Sequence, residues 1–259
     1  MYQLRLFFVA LQFFTRLPIP RWVGFEQDWL HHASRYFPLV GVVVGAIGAG
    51  VYAAAALALP APVAAVLSTA ATIYATGAFH EDGFADACDG LGGGMTRERV
   101  LEIMKDSRVG AYGAIGVVCM LGTKIATLAM LPPASAIGAL LLAHPLSRLC
   151  ATSLIWRMEY ARAEGKAKPL AERMSTPEFC IAALTVAAGA AILLACGALT
   201  PQAVLGALLA AAAATWWLAR KFGRRIGGYT GDCLGAVQQL SEAAAYIAVL
   251  ATLGHGALA

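Results

Sequence analysis

Ten consecutive residues, His80-Glu81-Asp82-Gly83-Phe84-Ala85-Asp86-Ala87-Cys88-Asp89, carry the densest chemistry in the chain. Asp82, Asp86 and Asp89 stand at i, i+4 and i+7, so a helix places them on one face. Carboxylates crowded on one face repel each other unless a cation lies between them. Mg²⁺ suits such a site, because it takes hard oxygen ligands and often links protein carboxylates to substrate phosphates. The chemistry this suggests is metal-assisted phosphoryl transfer. His80 and Glu81 are candidate general bases, and an interfacial polar residue is the plainer role for His80. An ordinary solvated acidic face would carry Lys and Glu between the acids. Here Gly83, Phe84, Ala85, Ala87 and Cys88 fill those places, as they do where helices approach closely in a membrane.

The elements that must hold these residues are apolar. The chain is 59% hydrophobic and only 13% charged, against roughly half apolar and a quarter charged in a soluble domain. Its mean hydropathy is +0.69. This composition predicts an all-α, polytopic integral membrane bundle and argues against a soluble domain. Seven stretches are long enough to cross: Pro38–Leu59, Ala61–Phe79, Ala111–Leu131, Ala134–Ile155, Phe179–Gly197, Leu199–Ala219 and Ala236–Leu253. Each is close to the ~20 residues that a ~30 Å hydrocarbon core requires. An apolar patch at Leu6–Phe14 has no clear cleavage site and soon meets Arg16 and Pro18. It is expected to form an interfacial or re-entrant helix rather than a removed leader.

Charge orders the spans. Seventeen of the 19 Lys and Arg residues fall in alternate connections, or just before the first span. Positive charge collects on the cytoplasmic side, which puts the N-terminus inside. It also gives one catalytic domain, 1–259, with cytoplasmic loops at about 80–110, 156–178 and 220–235. The remaining bases, Lys124 and Arg148, lie inside spans. Arg148 follows His144 by one turn, and this pair either lines a substrate cavity or makes a helix–helix contact. Lys124 is either paired or nearer an interface. The six cysteines form no C-x-x-C motif and are expected as free thiols.

Three further segments flank the acidic face. Gly90-Leu91-Gly92-Gly93-Gly94 lacks the G-K-[ST] of a P-loop and is expected to be a flexible connector. Thr96 is expected to cap a short helix over Arg97–Lys105. In Thr230-Gly231-Asp232-Cys233, Asp232 either caps the last span or joins the carboxylates.

These blocks together resemble the adenosylcobinamide-GDP ribazoletransferase family, also called cobalamin 5′-phosphate synthases. The resemblance runs through Leu11-Gln12-Phe13-Phe14-Thr15-Arg16-Leu17-Pro18 and Phe37-Pro38-Leu39-Val40-Gly41. It continues through the H-x-D-G-x-A-D-x-x-D-G pattern from His80, Lys105-Asp106-Ser107-Arg108-Val109-Gly110, and Thr230-Gly231-Asp232-Cys233-Leu234-Gly235. It implies a Mg²⁺-dependent enzyme of the bacterial inner membrane, and the charge pattern puts the polar clusters at its cytoplasmic face. Its substrates would be adenosylcobinamide-GDP and α-ribazole 5′-phosphate (or α-ribazole), and GMP would leave. Asp82, Asp86 and Asp89 would hold the metal, with His80 or Glu81 as the base. Arg16, Lys105 and Arg108 would contact phosphates, and Asp106 and Asp232 would complete the metal shell or hold ribose. His144 and Arg148 are carried as further substrate contacts. The lipid bilayer is the expected partner, nucleic acid is not, and assembly into a homo-oligomer is left open. Two rivals are weighed. A CDP-alcohol phosphotransferase would want Arg where Asp86 stands. A small-solute transporter would gather polar groups at mid-membrane.

Overall fold

The computed structural model describes residues 1–161 and 173–253. Arg162, Lys166 and Lys168 lie outside the described residues. The described chain is helical, and its one β feature is an isolated bridge between Tyr160 and Tyr229. In order, the helices are α1 (Tyr2–Phe14), α2 (Gln27–Ala33), α3 (Phe37–Ala56), α4 (Ala61–Thr76), α5 (Phe79–Gly93), α6 (Arg97–Ile103), α7 (Ala111–Met130), α8 (Pro133–Arg157), α9 (Thr176–Ala195), α10 (Pro201–Ile226) and α11 (Gly231–Thr252). Proline in the first turn of α3, α4, α8, α9 and α10 marks where they start. Proline is tolerated there because that N–H has no intrahelical partner.

Among the described residues, six helical stretches are long and apolar enough to cross a membrane: Trp29–Ala56 and α7 to α11. The bent pair α4–α5 raises the number to seven if it counts as one span. This matches the architecture expected from composition, with one change. The second span does not run straight to Phe79. It stops at Thr76, turns through Gly77 (φ +67°) and Ala78 (φ +58°), and resumes as α5 at 91°. Two successive left-handed residues make the corner. Glycine takes that conformation freely, whereas alanine pays ~1–2 kcal/mol for it.

Small residues set the packing. α3 lies along α8, α10 along α11, and α11 touches α5, α7 and α8. A Cβ on Gly41 would lie 2.5 Å from the His144 carbonyl oxygen and 2.6 Å from Pro145 Cα, so α3 and α8 meet backbone to backbone. α5 and α11 meet the same way. A Cβ on Gly83 would lie 3.1 Å from Asp232 Cα, and one on Gly235 would lie 3.0 Å from the His80 carbonyl oxygen. Dispersion and close backbone contact replace the hydrophobic drive that lipid cannot supply.

The charged connections converge. Arg97 donates to the carbonyls of Ile226 (2.8 Å) and Ala161 (3.0 Å), and Arg225 donates to those of Leu91 (3.3 Å) and Gly94. The ends of α5, α8 and α10 therefore meet around α6. Glu178 at the start of α9 accepts from His32 (2.7 Å) and from Arg35, tying α2 and its following turn to the same end.

Three local expectations change. The glycine run is not a loose connector: α5 stays helical to Gly93, and Gly90, Gly92 and Gly94 pack tightly on Met104, Tyr112 and Val100. The stretch 220–235 is mostly helix, with only Gly227–Thr230 between α10 and α11. Thr230, not Asp232, caps α11 by accepting from Cys233 N (3.4 Å), and Asp232 sits in the first turn. The Thr96 cap on α6 forms as expected, accepting from Arg99 N at 3.3 Å. Among the described residues, which include all six cysteines, no disulfide forms.

Two substitutions check this packing. Gly41→Val forces α3 from α8 and is expected to cost about 1–3 kcal/mol. Ala78→Gly removes the left-handed penalty and is expected to raise stability by ~0.5–1 kcal/mol. Thermal unfolding in detergent reads both; unchanged midpoints would contradict the backbone contact and the strained corner respectively.

Candidate functional site

The acidic segment is helical throughout, so Asp82, Asp86 and Asp89 share one side of α5 as their spacing requires. Their environments differ. Asp82 is exposed, Asp86 half-buried and Asp89 buried. One Asp89 oxygen accepts Gly110 N–H at 2.7 Å and the other accepts Gly113 N–H at 2.8 Å. Asp89 therefore serves the amino end of α7, where N–H groups lack intrahelical partners and the helix dipole favours negative charge. Both contacts need glycine, because a Cβ on Gly110 would lie 2.5 Å from an Asp89 oxygen.

Among the described residues, no three His, Cys, Asp or Glu side chains converge to hold a metal ion. The three-carboxylate set is thus not preassembled. Asp82 and Asp86, one turn apart on α5, remain a two-carboxylate set. Mg²⁺ commonly binds one or two carboxylates together with substrate phosphates, rather than a full protein cage. Asp232 lies close by, since its backbone packs on Gly83, and its carboxylate accepts from the Thr230 hydroxyl (3.2 Å).

The N-terminal motif reaches the same place. Phe14 stacks on the buried His80 ring (5.4 Å between centroids, 14° between planes) and packs on Phe79. Arg16 is exposed; its backbone N–H bonds the Ala75 carbonyl (2.8 Å), and its guanidinium lies against Gly77 and 6.0 Å from the Tyr74 ring. A cation therefore stands at the α4–α5 corner. Lys105 and Arg108 are exposed in the α6–α7 connection. Arg108 donates to both Asp106 oxygens (3.0 and 2.6 Å), and these bonds pull the Asp106 pKa down to about 2. The pair stays ionised until pH falls toward that value, so an incoming phosphate must compete with Asp106 for Arg108.

His144, Arg148 and Lys124 are brought together inside the bundle. They surround a cavity of about 10 Å³, the size of one water, which His80, Glu81, Gln238, Gln239 and Glu242 also line. Lys124 Nζ pairs with Glu242 (2.5 Å) and donates to Gln239 (3.1 Å). His144 Nδ1 lies 3.2 Å from Glu242, and Tyr246 donates to Glu242 at 3.2 Å. Gln238 donates to Glu242 (2.6 Å), and Gln239 donates to Glu81 (2.9 Å). The pairing foreseen for Lys124 is present. The space beside His144 and Arg148 is too small for a nucleotide.

Glu242, Gln238 and Gln239 were not singled out from the sequence, and a signal existed. Asp232, Gly235, Gln239, Glu242 and Tyr246 are spaced 3, 4, 3 and 4 residues apart, which forms one stripe along α11.

The family model described as cobalamin-5-phosphate synthase matches residues 6–250. A protein of Leptothrix cholodnii named adenosylcobinamide-GDP ribazoletransferase is 47% identical over 96% of both chains. Proteins of the same name from Ralstonia nicotianae and Shewanella frigidimarina are 48% and 45% identical, over 92% and 96% of this chain and 92% and 95% of theirs. No solved structure matches the chain. The chain belongs to the cobalamin-5-phosphate synthase family.

The different tasks of the carboxylates can be separated. Asp89→Ala leaves two N–H groups at the α7 terminus without their carboxylate and is expected to cost about 1–3 kcal/mol of stability. Asp82→Asn, at an exposed position, is expected to leave the unfolding midpoint unchanged. Equal loss of stability in both variants would refute the division.

Proposed function

We propose that this member of the cobalamin-5-phosphate synthase family joins adenosylcobinamide-GDP to α-ribazole 5′-phosphate (or α-ribazole). The products are GMP and adenosylcobalamin 5′-phosphate (or adenosylcobalamin), a late step in assembling the nucleotide loop of cobalamin. The observation that carries this reading is the near-full-length likeness, at 45–48% identity, to three proteins bearing the ribazoletransferase name.

The geometry supports a division of roles. Asp82 and Asp86 are the residues that would hold Mg²⁺, with Asp232 beside them. Bound there, the ion would neutralise diphosphate charge and ease departure of GMP. Arg16, Lys105 and Arg108 are exposed cations suited to phosphate oxygens. The attacking ribazole hydroxyl must lose a proton as its oxygen bonds to the phosphorus on cobinamide. Glu81 is better placed than His80 to receive it, because Glu81 is only partly buried while His80 is closed in by Phe14 and Phe79. Asp89 keeps α7 in register with α5. The clustering of basic residues at the α6 end favours a site facing the cytoplasm from the bacterial inner membrane.

The test is a product assay on detergent-purified protein, supplied with both substrates and Mg²⁺, with EDTA as control. Metal-dependent release of GMP and cobalamin product is expected. Asp82→Asn and Asp86→Asn are expected to lower turnover by roughly 100- to 1,000-fold, the scale of losing one electrostatic contact to the transition state. No product from folded protein would remove the assignment. Near-normal turnover and metal dependence in both variants would remove the metal site.

A further inference from the structure

Away from the acidic face, an apolar cavity opens beside a cluster of cations. Helices α9 and α10 both pack on α8, and a cavity of about 450 Å³ lies among the three. Leu146, Leu149 and Leu154 of α8, Phe179 of α9 and Leu208 of α10 give it an apolar wall. From Leu146 to Arg157 it follows α8 for ~16 Å. Its rim is aromatic and basic. Trp156 stacks on Phe179 (4.2 Å between centroids, 10° between planes), and the Arg157 guanidinium lies 3.7 Å from the Trp156 ring. Trp216 belongs to the same wall. It also lines a second cavity, of about 560 Å³, with Trp217, Arg220, Lys221, Arg224 and Arg225. Arg225 is engaged by the Leu91 and Gly94 carbonyls. Arg220 and Lys221 lie over the Trp216 and Trp217 rings (4.9 and 5.0 Å). Among the described residues, none of Arg157, Arg220, Lys221 and Arg224 forms an ion pair.

The order of side chains along α10 is the order of groups across a bilayer leaflet. The helix has 26 residues, ~39 Å against a ~30 Å hydrocarbon core, so its end projects beyond the acyl chains. Leu208 and Ala212 come first, then Trp216 and Trp217, then the cations. Tryptophan favours headgroup level, and Lys and Arg attract anionic headgroups. Many spans end in such a belt, but here it borders open volume. The cavity before the rings is apolar. The cavity beyond them holds cations and, among the described residues, no acid. A free phosphate would leave the first cavity empty, and a neutral lipid would leave the cations unpaired. We propose that the two cavities form one site for an anionic phospholipid. Its phosphate lies on Arg220, Lys221 and Arg224, and one acyl chain enters the groove between α9 and α10.

The experiment exchanges detergent-purified protein against an equimolar mixture of phosphatidylglycerol and phosphatidylcholine with the same chains. Native mass spectrometry counts the lipid retained, and thermal unfolding checks that each variant is folded. The wild type is expected to keep one phosphatidylglycerol with roughly 10-fold preference, the scale of a few cations facing an anionic headgroup. Arg220→Gln/Arg224→Gln is expected to abolish the preference. Arg21→Gln/Arg99→Gln removes the same charge from exposed positions elsewhere and is expected to keep it. Ala212→Trp, at an exposed position in the groove wall, is expected to lower retention by a similar factor with every cation in place. Added inorganic phosphate is expected to leave the lipid bound. Equal retention of the two lipids by the wild type would overturn the inference. So would equal loss in both charge variants, which would mark a general attraction to basic surface. Displacement by inorganic phosphate at the lipid's own concentration, or undiminished retention in Ala212→Trp, would leave only a free-anion contact and overturn it as well.

Discussion

The close approach of α5 to α11, at Gly83 and Gly235, governs the rest of the site. With no side chain on either residue, the two backbones meet near van der Waals distance. That contact fixes what stands on either side of it. Asp232 comes beside the acidic face of α5, and Gln239, one turn beyond Gly235, comes beside Glu81. Any larger residue would open both junctions together. The site is therefore organised by a pair of missing side chains more than by an attraction between charged ones.

A consequence is that α11 joins two settings of opposite character. Its first turn, with Asp232, faces the polar end where α6 and the basic termini gather. Glu242 lies 10 residues on, ~15 Å along the axis, among apolar helices. Ionisable groups at such depth are costly and require partners, and Lys124, His144, Gln238 and Tyr246 surround Glu242. Between Glu242 and Glu81 the amides of Gln238 and Gln239 form a continuous hydrogen-bonded connection. These carry hydrogen-bond direction between helices without adding net charge to the interior.

Much of this was legible in the sequence, for identifiable reasons. Span positions follow from hydropathy, which acts locally, and helix starts follow from proline and from Thr96. The shared face of Asp82, Asp86 and Asp89 follows from helical period alone. What sequence did not separate was their tasks, because Asp89 is committed by N–H groups more than twenty residues away, and nothing local announces that. The glycine run misled for a related reason. Beside Met104, Tyr112 and Val100 its residues permit contact instead of motion. The Gly77–Ala78 corner was hidden because alanine rarely takes a left-handed conformation. Glu242 was overlooked because a lone acid in an apolar run means little until its 3-4-3-4 stripe is counted along the helix.

The two attachments of α5 to α7 have a mechanical meaning. Asp89 grips the amino end of α7, while Glu81 reaches Lys124, farther along the same helix, through Gln239. Positions 81 and 89 are eight residues apart, ~12 Å along α5, and project in directions roughly 80° apart. A rod pinned at two points in different directions can neither roll about its axis nor slide along it. Asp82 and Asp86 lie between the pins, so their bearing toward an incoming ligand is set when the bundle folds, and little orientational entropy is left to lose on binding.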